Sequence, residues 1–374
     1  MDSDDEARAV AGAVGAMTEP SRGPNRPGAG YPGQGHDSAT AIVSSAGAAL
    51  REAVAARALS PGDDLALAEV AERLAVAAGG TLDGLIFFGS RRTGAARSNA
   101  FSAYDLFVIV GAYRPFYEAM SRAGLSGKGP GALSLVSHWL PPTQYSLRLE
   151  GSPVHVKGSV IRTDTFHRET SRRRHDHFCI GRLFQPSRIL YARDEDTRAA
   201  LVDDLTSAHA ATWQWSRPWL PSVFDAGEYG RNALVVSMSW EVRPEPAGRA
   251  EALWAAQEKE QTPVFEALLS DLAASGEVVP APRMRSWSAV QSVGDMEALR
   301  LKLYFRRSMA RSTARWLKHV VSFEGWVDYL VRKANRHAGE PHELSARERR
   351  WPLVFLWPRV FRYLRARNRE GRAP

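Results

Sequence analysis

The spacing of apolar positions changes character along the chain. Leu85-Ile86-Phe87-Phe88 and Leu106-Phe107-Val108-Ile109-Val110 are short continuous apolar runs, the first closed by Gly89-Ser90. Runs of that length, rich in Ile, Val and Phe and bounded by turn residues, predict buried strands. Further on, Tyr145, Leu147 and Leu149 alternate with Ser146, Arg148 and Glu150, the period of a half-buried strand. Gly151-Ser152-Pro153 then turns the chain, and Val154 to Ile161 returns as a second strand, with His155 and Lys157 on the face opposite Val154 and Val156. Two helices precede the strands. The second starts at about Asp63, a capable N-cap, carries Leu67, Val70, Ala71 and Leu74 on one face, and stops at Gly79-Gly80. Pro115 to about Arg122 predicts a short helix, and Gly124 to Gly131 a glycine-rich loop. Thr163-Asp164 caps a helix expected to reach about Ile180 and end at Gly181, and beyond about Thr197 the pattern is predominantly helical.

The order therefore predicts an α/β (α+β) fold, a mixed catalytic half followed by a helical half. Residues 1–40 hold the Gly- and Pro-rich stretch from Gly23 to Gly35, which cannot bury enough apolar surface to offset its ordering entropy, and are expected to be disordered. The expected division is a catalytic domain over 41–195, a helical domain over 196–340 and a basic aromatic tail over 341–374.

Composition changes this picture in two places. The formal net charge is +8, and from Arg300 onward nineteen Lys and Arg face six Asp and Glu. The basic character thus belongs to the C-terminal fifth, which needs an anionic partner, either nucleic acid or a lipid surface. Cys179 is the single cysteine, which excludes an intrachain disulfide and a thiolate metal cluster and fits a reducing, cytoplasmic compartment. The acidic start, Met1-Asp2-Ser3-Asp4-Asp5-Glu6, has neither the basic region of a secretory signal nor the character of a mitochondrial presequence. No segment has the roughly 18 uninterrupted apolar residues that a membrane span needs.

Candidate chemistry sits at the ends of the first two strands. A Gly-Ser turn at the end of a buried strand lets backbone N–H groups and a hydroxyl approach a phosphate closely. Asp105, near the start of the next strand, can hold a divalent metal against that phosphate, and Gly89 and Ser90 are assigned to a triphosphate. Strand, Gly-Ser, linker and Asp-bearing strand together resemble the opening of the nucleotidyltransferase superfamily.

From the hairpin onward the resemblance narrows. Lys157-Gly158-Ser159-Val160-Ile161-Arg162-Thr163 is followed by Ile180-Gly181-Arg182-Leu183-Phe184-Gln185-Pro186, by Ser237-Met238-Ser239-Trp240-Glu241-Val242-Arg243 and by Ser308-Met309-Ala310-Arg311-Ser312-Thr313. These stretches, in this order, look like the motifs of the translocator-maintenance phosphatidate cytidylyltransferases, known from mitochondria and bacteria. The resemblance implies a nucleotidyltransferase-type mixed sheet with flanking helices and transfer of CMP from CTP to phosphatidic acid. The products would be CDP-diacylglycerol, a precursor of cardiolipin, and pyrophosphate, with Mg²⁺ or another divalent cation as cofactor. It supports Asp105 as the catalytic metal ligand, nominates Glu241 as a second acidic participant, and places Lys157 and Arg182 on phosphates. Arg182 on its own reads equally well as the partner of a helix carboxylate. The chain departs from the family where Arg91 replaces a glycine after Ser90, and where Ala314-Arg315 stands in place of a lysine after the late Ser-Thr pair.

Two basic segments remain. Arg172-Arg173-Arg174-His175-Asp176-His177 reads as a solvated helical face, because His175 and His177 are two apart and face different sides. Trp351 to Arg367 mixes Trp, Phe and Leu with Arg, as an interfacial element does when its aromatics meet the acyl boundary and its arginines meet lipid phosphates. Docking on the protein's own core is the alternative. The expected location is the cytoplasm, peripheral to the inner face of the cell membrane. Nucleic acid is the weaker partner, since the aromatics cluster with Pro instead of interleaving as stacking platforms do. A nucleotidyltransferase acting on a non-lipid acceptor and a non-catalytic lipid-binding module remain as rival functions.

Overall fold

A computed structural model describes residues 47–93, 103–126, 128–148, 155–240 and 248–315, with 318, 322, 345, 347 and 355 individually. The N-terminal segment expected to be disordered, Glu241 and nearly all of the basic aromatic tail lie outside the described residues. The chain divides into two units, Ala16–Ser322 and Met1–Gly15 with Phe323–Pro374. Every element below belongs to the first.

The order is α1 (Ala48–Ala58), α2 (Leu65–Ala78), β1 (Leu82–Phe88), β2 (Tyr104–Val110), α3 (Tyr113–Arg122), α4 (Pro130–His138), β3 (Thr143–Arg148), β4 (His155–Arg162), α5 (Thr163–Thr170), α6 (Ile180–Leu183), β5 (Arg188–Ala192), α7 (Glu195–Ser216), α8 (Ala226–Ser239), α9 (Arg249–Ala274), β6 (Val278–Pro280), β7 (Trp287–Ala289) and α10 (Asp295–Arg315). The five-stranded sheet runs β3-β4-β2-β1-β5, with β2 and β4 parallel and the other pairs antiparallel. The fold is thus mixed α/β, as the pattern predicts.

Every residue of β1 is buried, as expected of a strand covered on both faces. One face presents Ile86, Phe88, Phe107, Ile109 and Ile161 to a core shared with α1 and α5 through α10. The other presents Leu85, Phe87, Leu106, Val108, Val110, Val156 and Val160 to α2, α3 and α4. Each fully buried Phe or Leu contributes roughly 1.5–3 kcal/mol of transfer free energy. The first core runs straight across the division expected at 195/196 and includes both Phe107 and Phe265.

Local chemistry sets several boundaries. Asp64, not Asp63, caps α2, its side chain accepting from Leu67 N at 3.0 Å. The segment expected to be a glycine-rich loop gives way to α4 at Pro130, where proline suits the first helical position. The helix expected to reach Ile180 stops at Thr170. There Glu169 accepts from both His175 N (2.9 Å) and His175 Nδ1 (2.7 Å), and Ser171 Oγ accepts from Arg173 N (3.1 Å). Such local side-chain bonds compete with helix continuation. The strand β5 and the small β6-β7 hairpin are additions to the expected pattern.

Candidate functional site

Register brings three of the predicted residues to one end of the sheet. Phe88, the last residue of β1, pairs with Asp105, and Asp105 pairs with Lys157 on β4. Paired residues on parallel neighbours point to the same side, about 4.8 Å apart between strands. Asp105 and Lys157 therefore share the face of Phe107 and Ile109, at its open end; both are half-buried.

Gly89 closes this end. Its φ is +89°, and its carbonyl accepts from Arg92 N (2.9 Å) and Thr93 N (3.2 Å), forming a tight turn. A Cβ at this position would lie 2.8 Å from Asp105 Oδ2. Glycine is required here twice, by the positive φ and by the carboxylate packed against its backbone. The two arginines that follow are engaged elsewhere. The Arg91 guanidinium lies 4.3 Å from the centre of the Tyr104 ring, and Arg92 forms a bidentate pair with Glu260 on α9. The Tyr104 hydroxyl in turn donates to Asp64 (2.6 Å), and burial together with that carboxylate raises it to about 12.

The donor set suits a hard divalent cation in part. Mg²⁺ takes one or two carboxylates together with substrate phosphate oxygens, and Asp105 supplies one. Among the described residues no group of three His, Cys, Asp or Glu side chains could hold a metal. The nominated second carboxylate, Glu241, follows directly on Trp240, the last described residue before 248.

Arg182 is tied to this strand through aromatic contacts. Its Nη1 donates to Phe178 O (2.8 Å) and its guanidinium lies 3.8 Å from the Phe178 ring centre. The Phe178 ring stands edge-on to Phe107, two residues from Asp105, at 6.4 Å. Around this point the later motifs converge. His177 N donates to Ser308 Oγ (2.9 Å), and His177 Nε2 lies 3.0 Å from Ser237 Oγ. A Cβ on Gly181 would meet His177 Cδ2 at 2.8 Å and Ser237 Oγ at 3.0 Å. The glycine therefore lets three distant segments close on one imidazole.

This corrects the reading of 172–177 as a solvated face. Arg172 and Arg173 are exposed, but Asp176 is 1% and His177 4% exposed. Asp176 accepts from Arg311 Nε (2.8 Å), Arg315 Nη2 and Phe178 N (3.0 Å). Burial pushes the Asp176 carboxyl up, but Arg315, Arg311 and the Phe178 N–H together outweigh it and hold the group below the usual carboxylate range. Arg315 also donates to Leu140 O (3.1 Å) and Pro141 O (2.8 Å). Lys318 Nζ donates to Leu140 O (2.8 Å) and Thr143 Oγ1 (2.9 Å). Burial, and then the two arginines, lowers Lys318 to about 7. The end of α10 and the residue beyond it thus clamp the 140–143 turn. Only the position of Arg311 in a matched motif hinted at this cluster.

Cys179, next to it, is fully buried, and burial pushes its thiol well up. Thiolate is the reactive form, so an aromatic disulfide reagent should titrate no thiol in the native chain and one after denaturation. A full equivalent released rapidly from native protein would contradict this packing. The chain matches no model of a known protein family and no curated protein.

Proposed function

We propose that this chain is a CTP:phosphatidate cytidylyltransferase attached peripherally to an anionic membrane. The single observation that supports the transfer chemistry is the register that sets Asp105 between the Phe88-Gly89 strand end and Lys157. The lipid acceptor rests on the order of the later motifs and on the basic aromatic tail.

In the proposed reaction a headgroup phosphate oxygen of phosphatidate attacks the α-phosphorus of CTP. A new P–O bond forms, the α–β bridging bond breaks, and pyrophosphate leaves with the electron pair. Lys157, a compact cation beside Asp105, meets charge growing on the departing pyrophosphate. The turn at Gly89 admits a phosphate close to its backbone, and Ser90 offers its hydroxyl. A divalent cation bound at Asp105 would supply neutralisation of the phosphate oxygens. Arg182, anchored on Phe178, and Arg315, whose guanidinium lies 4.9 Å from the same ring, add positive potential near the strand.

No helix among the described residues is long and apolar enough to cross a membrane. Attachment through residues 351–367 would use the roughly 1 kcal/mol that each basic residue gains near an anionic surface.

The test is pyrophosphate release from labelled CTP by the purified full chain, with phosphatidate, an RNA end or a small alcohol as acceptor. Release that needs CTP, phosphatidate and a divalent cation together is the expected result. Folded protein that stays silent, prefers ATP or works without lipid overturns the assignment.

A further inference from the structure

An open cleft of about 520 Å³ lies between α1, α9 and the turn after Ser90, lined in part by Arg57, Ser60, Arg92, Glu260 and Pro263. Neither Asp105 nor Lys157 lines it. Its lining holds a charge with no counter-charge in contact among the described residues. Arg57 is 7% exposed, and its guanidinium bonds only neutral groups, Nη1 to Gln261 Oε1 and Nη2 to His209 Nε2 (2.9 Å). His209 Nδ1 lies 2.7 Å from Leu205 O, which fixes its proton on Nδ1 and leaves Nε2 as the acceptor from Arg57. Burial and then the Arg57 charge lower that imidazole to about 3, so it stays neutral.

At the cleft itself Arg57 and Arg92 meet a single carboxylate. Arg92 is paired with Glu260, and Glu260 is also the carboxylate acting on Arg57 from a distance, so two guanidinium groups share one anion. Arg188, within reach of Arg92, is met in turn by Asp64, Asp63 and Glu260. Arg57 Nε and Arg92 Nε are both buried without an acceptor. Buried ionic groups are costly unless compensated, and the buried Arg57 guanidinium feels Glu260 only at a distance, because that carboxylate is bonded to Arg92.

We propose that this cleft binds the phosphomonoester group of a small molecule. A carboxylate ligand would only repeat what Glu260 already gives. A phosphomonoester dianion brings enough charge to act on both guanidinium groups. The cleft volume lies in the range of small-molecule sites.

Titration calorimetry on the full chain tests this with glycerol 3-phosphate, inorganic phosphate and monomeric dihexanoyl phosphatidic acid as probes. Saturable binding of glycerol 3-phosphate is expected. Arg92→Ala should weaken it by about tenfold or more through loss of a charged hydrogen-bond donor. Glu260→Gln should tighten it, because a competing carboxylate is removed, an effect that a purely structural ion pair would not produce. Asp105→Asn should leave it unchanged, which separates this cleft from the proposed transfer site. Tighter, competitive binding of the short-chain lipid would identify the source as a lipid headgroup, and its failure to compete would identify a soluble phosphate ester. No saturable binding of any probe, or affinities identical in wild type, Arg92→Ala and Glu260→Gln, overturns the proposal.

Discussion

Asp105→Asn should lower CMP transfer by on the order of 10²–10³-fold, the scale on which loss of one preorganised electrostatic group at a reacting centre is felt, while the chain stays folded and keeps its affinity for anionic vesicles. The substitution preserves volume and the packing against Gly89, whose added Cβ would sit 2.8 Å from Asp105 Oδ2. It removes only the negative charge that a divalent cation and Lys157 would both use. A companion change, Gly89→Ala, separates charge from shape. It keeps the carboxylate but forces it away, and at φ +89° it adds backbone strain of about 1–3 kcal/mol. Both variants should lose transfer, and only Gly89→Ala should also lose stability. Transfer retained in Asp105→Asn with an unchanged urea midpoint would remove Asp105 from the chemistry. An activity-free wild type that binds vesicles as well as the variant would favour the lipid-binding module.

The end of the sheet that carries Gly89 and Asp105 was legible in the sequence because its parts are local. Leu85 to Phe88 and Leu106 to Val110 are buried on both faces, so composition alone marks them as strands, and Gly89-Ser90 and Asp105 stand at their ends. The pairing of Lys157 with Asp105 is a tertiary fact: it comes from β4 lying parallel beside β2, which neither the pattern nor the motif order states. What could not be read was set by distant partners. The helix from Thr163 carries no proline or glycine before Gly181, so nothing in the pattern ended it at Thr170. Its end is fixed by Glu169 folding back on His175. β5 is only Arg188–Ala192, and it is a strand because it completes the edge beside β1. His177 and Asp176 looked solvated because they lie in a basic run, while the groups that bury them, Ser237, Ser308, Arg311 and Arg315, come from α8 and α10. A charge run is solvated only if nothing folds onto it, and that is a tertiary fact.

Asp176 is where that tertiary fact has its largest energetic consequence. Asp176→Asn keeps the shape and removes the one charge shared by Arg311 and Arg315, which are 23% and 6% exposed at their side chains. Breaking a buried ion pair by removing one partner typically costs about 3–5 kcal/mol, so the urea midpoint at neutral pH should fall by the corresponding amount. Since the folded pKa of Asp176 lies below its unfolded value of about 3.9, the group contributes stability that is fully present above that unfolded value and is lost as pH falls through the folded one. The gap between wild type and Asp176→Asn should therefore be widest near neutrality and close on acidification below about pH 4. Adding Arg315→Met to Asp176→Asn should restore only part of the loss. It removes one stranded guanidinium, but it also takes the donor from Pro141 O, while Leu140 O keeps Lys318 Nζ, and a carbonyl left unsatisfied away from water costs about 1–3 kcal/mol. Full recovery in the double variant would mean that Arg315 serves only Asp176. No loss in Asp176→Asn would mean that the end of α10 is held on the 140–143 turn by those carbonyl contacts alone.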